Sequence, residues 1–349
     1  MIRADETCQT GMNLAFSMDI LPNETAMGFF KKKTAKPMSS LDPDAIDLLR
    51  VVSMEENSDS VEKAVRELQQ EARNDEKARA LLSSIFYEED RELSFRRYGK
   101  SRDLAATLRL FEIFGVSPSS RIIEVGAGPG FLASALNRLK YPIEILEPST
   151  HWTSGTGYLR TREEDKNIPI HTDHVSWHGC TSKYDVIVTK NCIHHFQNIS
   201  QVAVCLRQKL SSDGLWISIR EWFADSAREL ADSLAHHPFR VKNPVIYEWP
   251  YPAHHYAEAL ELAGLSLVAV VPNGYANGCM GTYSEEPGSP KNNAFTEKID
   301  RLLAGRPEET VKAFWNEVKK NKFEGGTQRI YTRPQVMIFK KGPGLTIRI

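Results

Sequence analysis

Apolar and polar positions divide the chain into a helical first third and a remainder in which strands and helices alternate. Between residues 41 and 115 the apolar positions recur at helical spacing. Val61, Val65, Leu68 and Ala72 fall at i, i+4, i+7 and i+11, and Leu104, Leu108 and Phe111 repeat the pattern. Charged residues such as Glu62, Lys63, Arg66 and Glu67 fill the other faces. Residues 1–40 have weak periodicity and read as a poorly ordered tail. The texture changes at Arg121. "RIIEV" is a short β-rich run, followed by a glycine stretch and a helix with Phe131, Leu132, Ala135, Leu136 and Leu139 on one side.

Further strands are predicted at "IEILE" (143–147), "IPIHT" (168–172), "YDVIVT" (184–189), "LWISIR" (215–220), "LSLVAVV" (265–271) and "QVMIF" (335–339). Helices are predicted between them, one marked by Ile199, Val202, Ala203, Leu206 and Leu210, another over 253–263 ending at Gly264. Strands that alternate with helices imply an α/β fold, a doubly wound, seven-stranded and mostly parallel sheet. It occupies residues 116–349, after the N-terminal helical region at 41–115. Residues 272–332 lie between the last two strands, where a hairpin needs only a few residues. They read as a helical insertion, with Phe295, Ile299 and Leu302 on one helix and Val311, Phe314, Trp315 and Val318 on another. Together with the N-terminal helical region, their apolar faces are expected to close over a substrate or to contact a second copy in a homodimer.

Composition removes several classes of function. The 349 residues carry a formal net charge of −1, so no global field attracts nucleic acid or an anionic membrane. Five scattered cysteines without a CxxC pair suggest a reducing compartment. No secretory signal is legible at the N-terminus, and the longest apolar run is far short of the roughly 20 residues of a membrane span. A cytoplasmic location is expected.

"EVGAGPGF" (124–131) joins the first strand to its helix and holds three glycines in five positions. Such a loop lets backbone approach a ligand, and the helix that follows offers free N–H groups. The dinucleotide fingerprint G-x-G-x-x-G would place its third glycine at 131, where Phe131 stands, and Glu124 ends the strand two residues before the first glycine. A carboxylate there suits a ligand with positive charge better than a pyrophosphate.

This stretch resembles motif I of the class I S-adenosylmethionine (SAM)-dependent methyltransferases, acidic-x-G-x-G-x-G. "EILEPS", "YDVIVTKNCIHHF", "SSDGLWISIREW" and "YAEALELAGLSLVAVV" resemble the later motifs of that family in the same order, over about residues 95–271 plus the last strand. The resemblance implies SAM as cofactor and S-adenosylhomocysteine as product. It places Glu124, Gly126, Ala127, Gly128 and Gly130 around the methionine part, and Glu147, seventeen residues after Gly130, on the ribose hydroxyls. Asp173 falls on the adenine side, with Val175 offering a backbone contact. Asn191, and Tyr98 from "FRRYGKSRD", join the cofactor set.

Methyl transfer from a sulfonium is an in-line displacement, so the protein mainly aligns the nucleophile and excludes water. A base helps when a hydroxyl or protonated amine must lose a proton. His194 and His195 leave the fourth strand at the ligand-binding edge, and Glu221 follows the fifth; these three are the candidate catalytic groups. Arg220 and Trp222 share that rim, and "NPVIYEWPYPAHHY" supplies Tyr247, Trp249, Tyr251 and His254 as a candidate substrate wall. "HTDHVSWHGC" matches no metal-ligand spacing, and no metal is expected. The reading is a methyltransferase acting on oxygen or nitrogen of a small-molecule acceptor. A nicotinamide-dependent oxidoreductase and a non-catalytic methyltransferase-like partner protein remain as alternatives.

Overall fold

The computed structural model describes residues 54–196, 198–235, 250–273 and 290–342. The tail expected at 1–40 lies outside them. Four helices precede the sheet: α1 (Met54–Ala72), α2 (Glu76–Ser84), α3 (Arg91–Tyr98) and α4 (Arg102–Ile113). Their starts follow from capping chemistry. Asp75, Asp90 and Ser101 each turn a side-chain oxygen onto an N–H of the first helical turn.

The remainder runs β1 (Ile122–Val125), α5 (Phe131–Arg138), β2 (Ile143–Leu146), β3 (Ile170–His171), α6 (His174–Gly179), β4 (Tyr184–Lys190), α7 (Ile199–Lys209), β5 (Leu210–Ile219), α8 (Ala227–Ala235), α9 (Ala253–Leu262), β6 (Leu265–Val271), α10 (Pro290–Leu303), α11 (Pro307–Phe323) and β7 (Val336–Lys341). The strands form one sheet of order β3-β2-β1-β4-β5-β7-β6. All neighbours are parallel except β7, which runs antiparallel to both β5 and β6. The expected mostly parallel sheet is therefore present, with its one reversed strand near an edge. The third strand shrinks to two residues, because only Ile170 and His171 find partners on β2.

Strand alternation sorts the core into two layers. Ile122, Ile145, Val186, Val188, Ile217 and Ile338 pack under α4, α5 and α10. Ile123, Ile187, Trp216, Met337 and Phe339 pack under α7, α9 and α11. Glu124 takes the position on β1 that faces the first layer, which sends a carboxylate into an otherwise apolar side.

Both insertion helices contribute side chains to the two core layers. Ile299 and Leu303 of α10 join the first layer beside α4, and Phe314 and Val318 of α11 join the second. Phe314 is fully buried. These four side chains are buried in the domain itself. Among the described residues no helix is long and apolar enough to cross a membrane.

Candidate active site

Every glycine of the E-x-G-x-G-x-G loop is left-handed, with φ of 68° at Gly126, 52° at Gly128 and 78° at Gly130. L side chains rarely adopt this conformation, which accounts for the alternating glycines. A Cβ on Gly126 would also stand 2.1 Å from Cys192 Sγ. The end of β1 and the exit of β4 are thus packed backbone against side chain. Ala127 and Pro129 separate the glycines, and Gly130 opens α5.

Two carboxylates hold this loop. Glu124 is buried, and its Oε2 accepts from the Ala133 N–H at 3.0 Å, inside the first turn of α5. Burial pushes its pKa up to about 8, against the Ala133 hydrogen bond and with help from the Glu147 charge. Glu147, also buried, leaves β2 and accepts from Gly128 N–H and Ser149 N–H, both at 2.8 Å. Burial raises it to about 7. Each oxygen of Glu147 keeps a lone pair beyond those two bonds, and a carboxylate has about four acceptor positions in all.

The exit of β4 is organised by Glu221. This buried carboxylate accepts from the backbone N–H groups of Cys192 (3.3 Å), Ile193 (2.7 Å), His194 (3.2 Å) and Trp222 (3.0 Å). It also pairs with His194 Nδ1. Burial raises the Glu221 pKa, but His194 and the backbone N–H groups of Trp222 and Ile193 outweigh it and hold the group below its ordinary value. A carboxylate on Nδ1 fixes the imidazole with Nε2 as its other ring nitrogen, the arrangement that orients a general base. His194 is buried. His195 is more open and lies against it at a tilt with ring centroids 4.1 Å apart, and Trp222 meets the His194 ring edge-on at 5.7 Å. Glu221 therefore lies behind His194, its oxygens taken up by backbone N–H groups and the imidazole.

Behind the β1–β4–β5 edge lies a polar cluster. Lys190, the last residue of β4, pairs with the buried Asp103 of α4 and donates to the Tyr98 hydroxyl at 3.0 Å. Tyr98 is buried, and burial together with Glu124 raises its phenol well above the ordinary value. Asn191 and Arg220, one residue past β4 and β5, are left-handed with φ of 50° and 54°. Their N–H groups bond to Ile219 and Gln335 carbonyls.

A family model described as a methyltransferase domain matches residues 87–270, just over half of the chain. The chain belongs to this methyltransferase family. A malonyl-[acyl-carrier protein] O-methyltransferase of Bacillus cereus is 29% identical over 126 residues, 35% of this chain. The matched stretch spans 46% of that relative, less than half its length. Among solved structures, a putative sarcosine dimethylglycine methyltransferase from Galdieria sulphuraria is similar over 73% of this chain and 89% of that one, with 18% identity and TM-score 0.40. The mitomycin 7-O-methyltransferase is similar over 67% and 66%, with 17% identity and TM-score 0.39.

Elsewhere in the methyltransferase domain the expected residues scatter more. Asp173 accepts from the Ser176 hydroxyl at 2.6 Å and lies at the start of α6, so part of its acceptor capacity serves that helix. Val175 lies in α6, one residue after its start. Tyr251 packs against the second core layer, with its ring 4.6 Å from that of His255. His254 lies near Lys322 of α11; burial and then that charge lower its pKa. Tyr247 and Trp249 fall outside the described residues. Among the described residues no cluster of His, Cys, Asp and Glu is arranged to hold a metal.

Sequence reasoning missed two contributors. Lys190 carried a signal, a cation closing an apolar strand. Glu62 carried none, since it sits among charged residues of α1. It is buried, and accepts from Thr153 N–H at 3.0 Å and Ser154 N–H at 2.8 Å, tying α1 to the loop after β2. Ser154 O lies 3.4 Å from where a Gly128 Cβ would stand, so that loop rests on the glycine loop.

Proposed function

We propose that the protein transfers the methyl group of SAM to an oxygen or nitrogen of a small-molecule acceptor. The observation that carries this reading is the left-handed glycine loop with Glu147 held against it, 2.8 Å from Gly128 N–H. The residues suit SAM. Glu147 retains lone pairs for the two ribose hydroxyls, and Glu124, enclosed beside the loop, suits a cationic amino group. Asp173, Val175, Ala127, Asn191 and Tyr98 complete the set that would hold it. When bound, SAM supplies a methyl already activated by its sulfonium. The chain's own residues align the acceptor, exclude water and take up a proton.

His194 is the proton acceptor in this reading. Glu221 holds its Nδ1, so Nε2 is the nitrogen that would take the proton of the acceptor's O–H or N–H, with His195 and Trp222 packed against the ring. The near-zero net charge supports a small acceptor over nucleic acid, which ordinarily draws a basic surface. The test is incubation with methyl-labelled SAM and a panel of phenols, alcohols and amines, with nucleic acid and protein as parallel acceptors. Label in a small molecule with equimolar S-adenosylhomocysteine is expected. Label appearing only in RNA or protein would overturn the substrate class.

A further inference from the structure

We propose that Arg220 is the anchor for a carboxylate on a ligand bound beside the ends of β4 and β5, one that the methyl acceptor brings to the site. Arg220 is half-buried, and burial lowers its pKa. A guanidinium withdrawn from water is ordinarily paired. Other enclosed cations of this domain are engaged: Arg91 donates to the Phe86 and Thr153 carbonyls, Lys209 donates to those of Trp177 and Cys180, and three more have carboxylates. Lys190 has Asp103, Arg162 has Asp165 and Glu92, and Arg97 has Glu88. Among the described residues Arg220 has no carboxylate and no side-chain hydrogen bond.

Its backbone carries a second sign of purpose. With φ of 54° Arg220 is left-handed, a conformation that a long side chain reaches at a cost and that clusters at functional sites. Strand alternation alone would direct the residue after Ile219 away from the first core layer. Yet the Arg220 charge acts on the Tyr98 phenol and the Lys190 ammonium, both in the cluster on that side. The left-handed backbone is the feature that departs from strand alternation at this residue. Lys190 is already committed to Asp103 and Tyr98, which leaves Arg220 as the cation with bonding capacity to spare. Its planar fork suits a carboxylate bidentately.

Two ligands bring a carboxylate to this rim, the acceptor and SAM itself through its amino-acid end. Position favours the acceptor. β5 lies two strands from β1, roughly 10 Å at ordinary strand spacing, and next to the His194–Glu221 pair. This inference rests on the methyltransferase reading, and the test separates the two.

Wild-type protein is first titrated with S-adenosylhomocysteine; absence of binding there refutes the methyltransferase reading alone. Arg220→Met and Arg220→Gln are then compared with wild type in three measurements. The melting temperature of the free protein is expected to stay level or rise, because an unpaired charge leaves. A fall of several degrees in both variants would make Arg220 structural and overturn the proposal. Affinity for S-adenosylhomocysteine is set against that for 5′-methylthioadenosine, which lacks the carboxylate. Finally, benzoate and succinate are added to protein saturated with S-adenosylhomocysteine. Expected is unchanged cofactor affinity with loss, in the variants, of a carboxylate-induced thermal shift seen in wild type. A tenfold or larger loss for S-adenosylhomocysteine alone would keep Arg220 as a carboxylate anchor but assign it to the cofactor. No response to either carboxylate source would refute the anchor.

Discussion

Glu124→Gln should make the free protein more stable at pH 8 while making it a poorer cofactor binder. The Glu124 carboxylate is buried with the Ala133 N–H at 3.0 Å as its hydrogen-bond donor, and its pKa is pushed from 4.5 to about 8. A carboxyl with a raised folded-state pKa binds its proton more tightly folded than unfolded. Its contribution is complete below pH 4.5 and is lost as pH climbs toward 8. Each pH unit within that window is worth about 1.4 kcal/mol, so between pH 6 and 8 Glu124 removes up to about 3 kcal/mol. For a domain of this size that corresponds to a fall in melting temperature of about 5 °C or more. Glutamine keeps an oxygen for Ala133 and has no proton to lose. Thermal unfolding followed at pH 6, 7 and 8 should show a shallower pH slope for Glu124→Gln, with the curves meeting near pH 6 or below. The same variant should lose affinity for S-adenosylhomocysteine, since an amide attracts an amino group less than a carboxylate does. Parallel pH slopes, or a variant less stable than wild type at pH 8, would refute the reasoning.

Other substitutions separate the roles. Glu147→Ala should weaken S-adenosylhomocysteine binding by roughly 1.5–3 kcal/mol, the scale of hydrogen bonds to a charged group; unchanged affinity by calorimetry would move the ribose site elsewhere. His194→Ala should lower kcat by about 10²–10⁴-fold with cofactor affinity retained, whereas His195→Ala should cost less, because His195 lacks the Glu221 partner. Equal and small losses in both would favour proximity catalysis without a base. Phe314→Ala in α11 should cost about 3–5 kcal/mol in denaturant unfolding, as befits a core aromatic; a loss below about 1 kcal/mol would mean that the insertion is not part of the core.

Local chemistry in this chain was legible where a backbone conformation demands one residue type. The three left-handed glycines and the carboxylates at the ends of β1 and β2 belong to that class, as does the alternation of strands and helices that specifies the sheet. Tertiary pairing was not legible. The reversal of β7 follows from its two neighbours and leaves no trace in "QVMIF". The apolar stripe of α11 reads the same whether it covers a substrate or the sheet. Glu221 looked like a rim acid because it follows a strand. Only the fold shows that its oxygens are taken by four backbone donors and His194. Arg220 was placed at the rim by its motif, but its left-handed backbone, and the lack of a carboxylate partner among the described residues, belong to three dimensions.

Calorimetric titration of the free protein with S-adenosylhomocysteine, and separately with NADH, tests the cofactor most directly. The glycine loop, Glu124 and Glu147 predict saturable heat from S-adenosylhomocysteine at a single site, and none from NADH. Heat from NADH with none from S-adenosylhomocysteine would contradict the account.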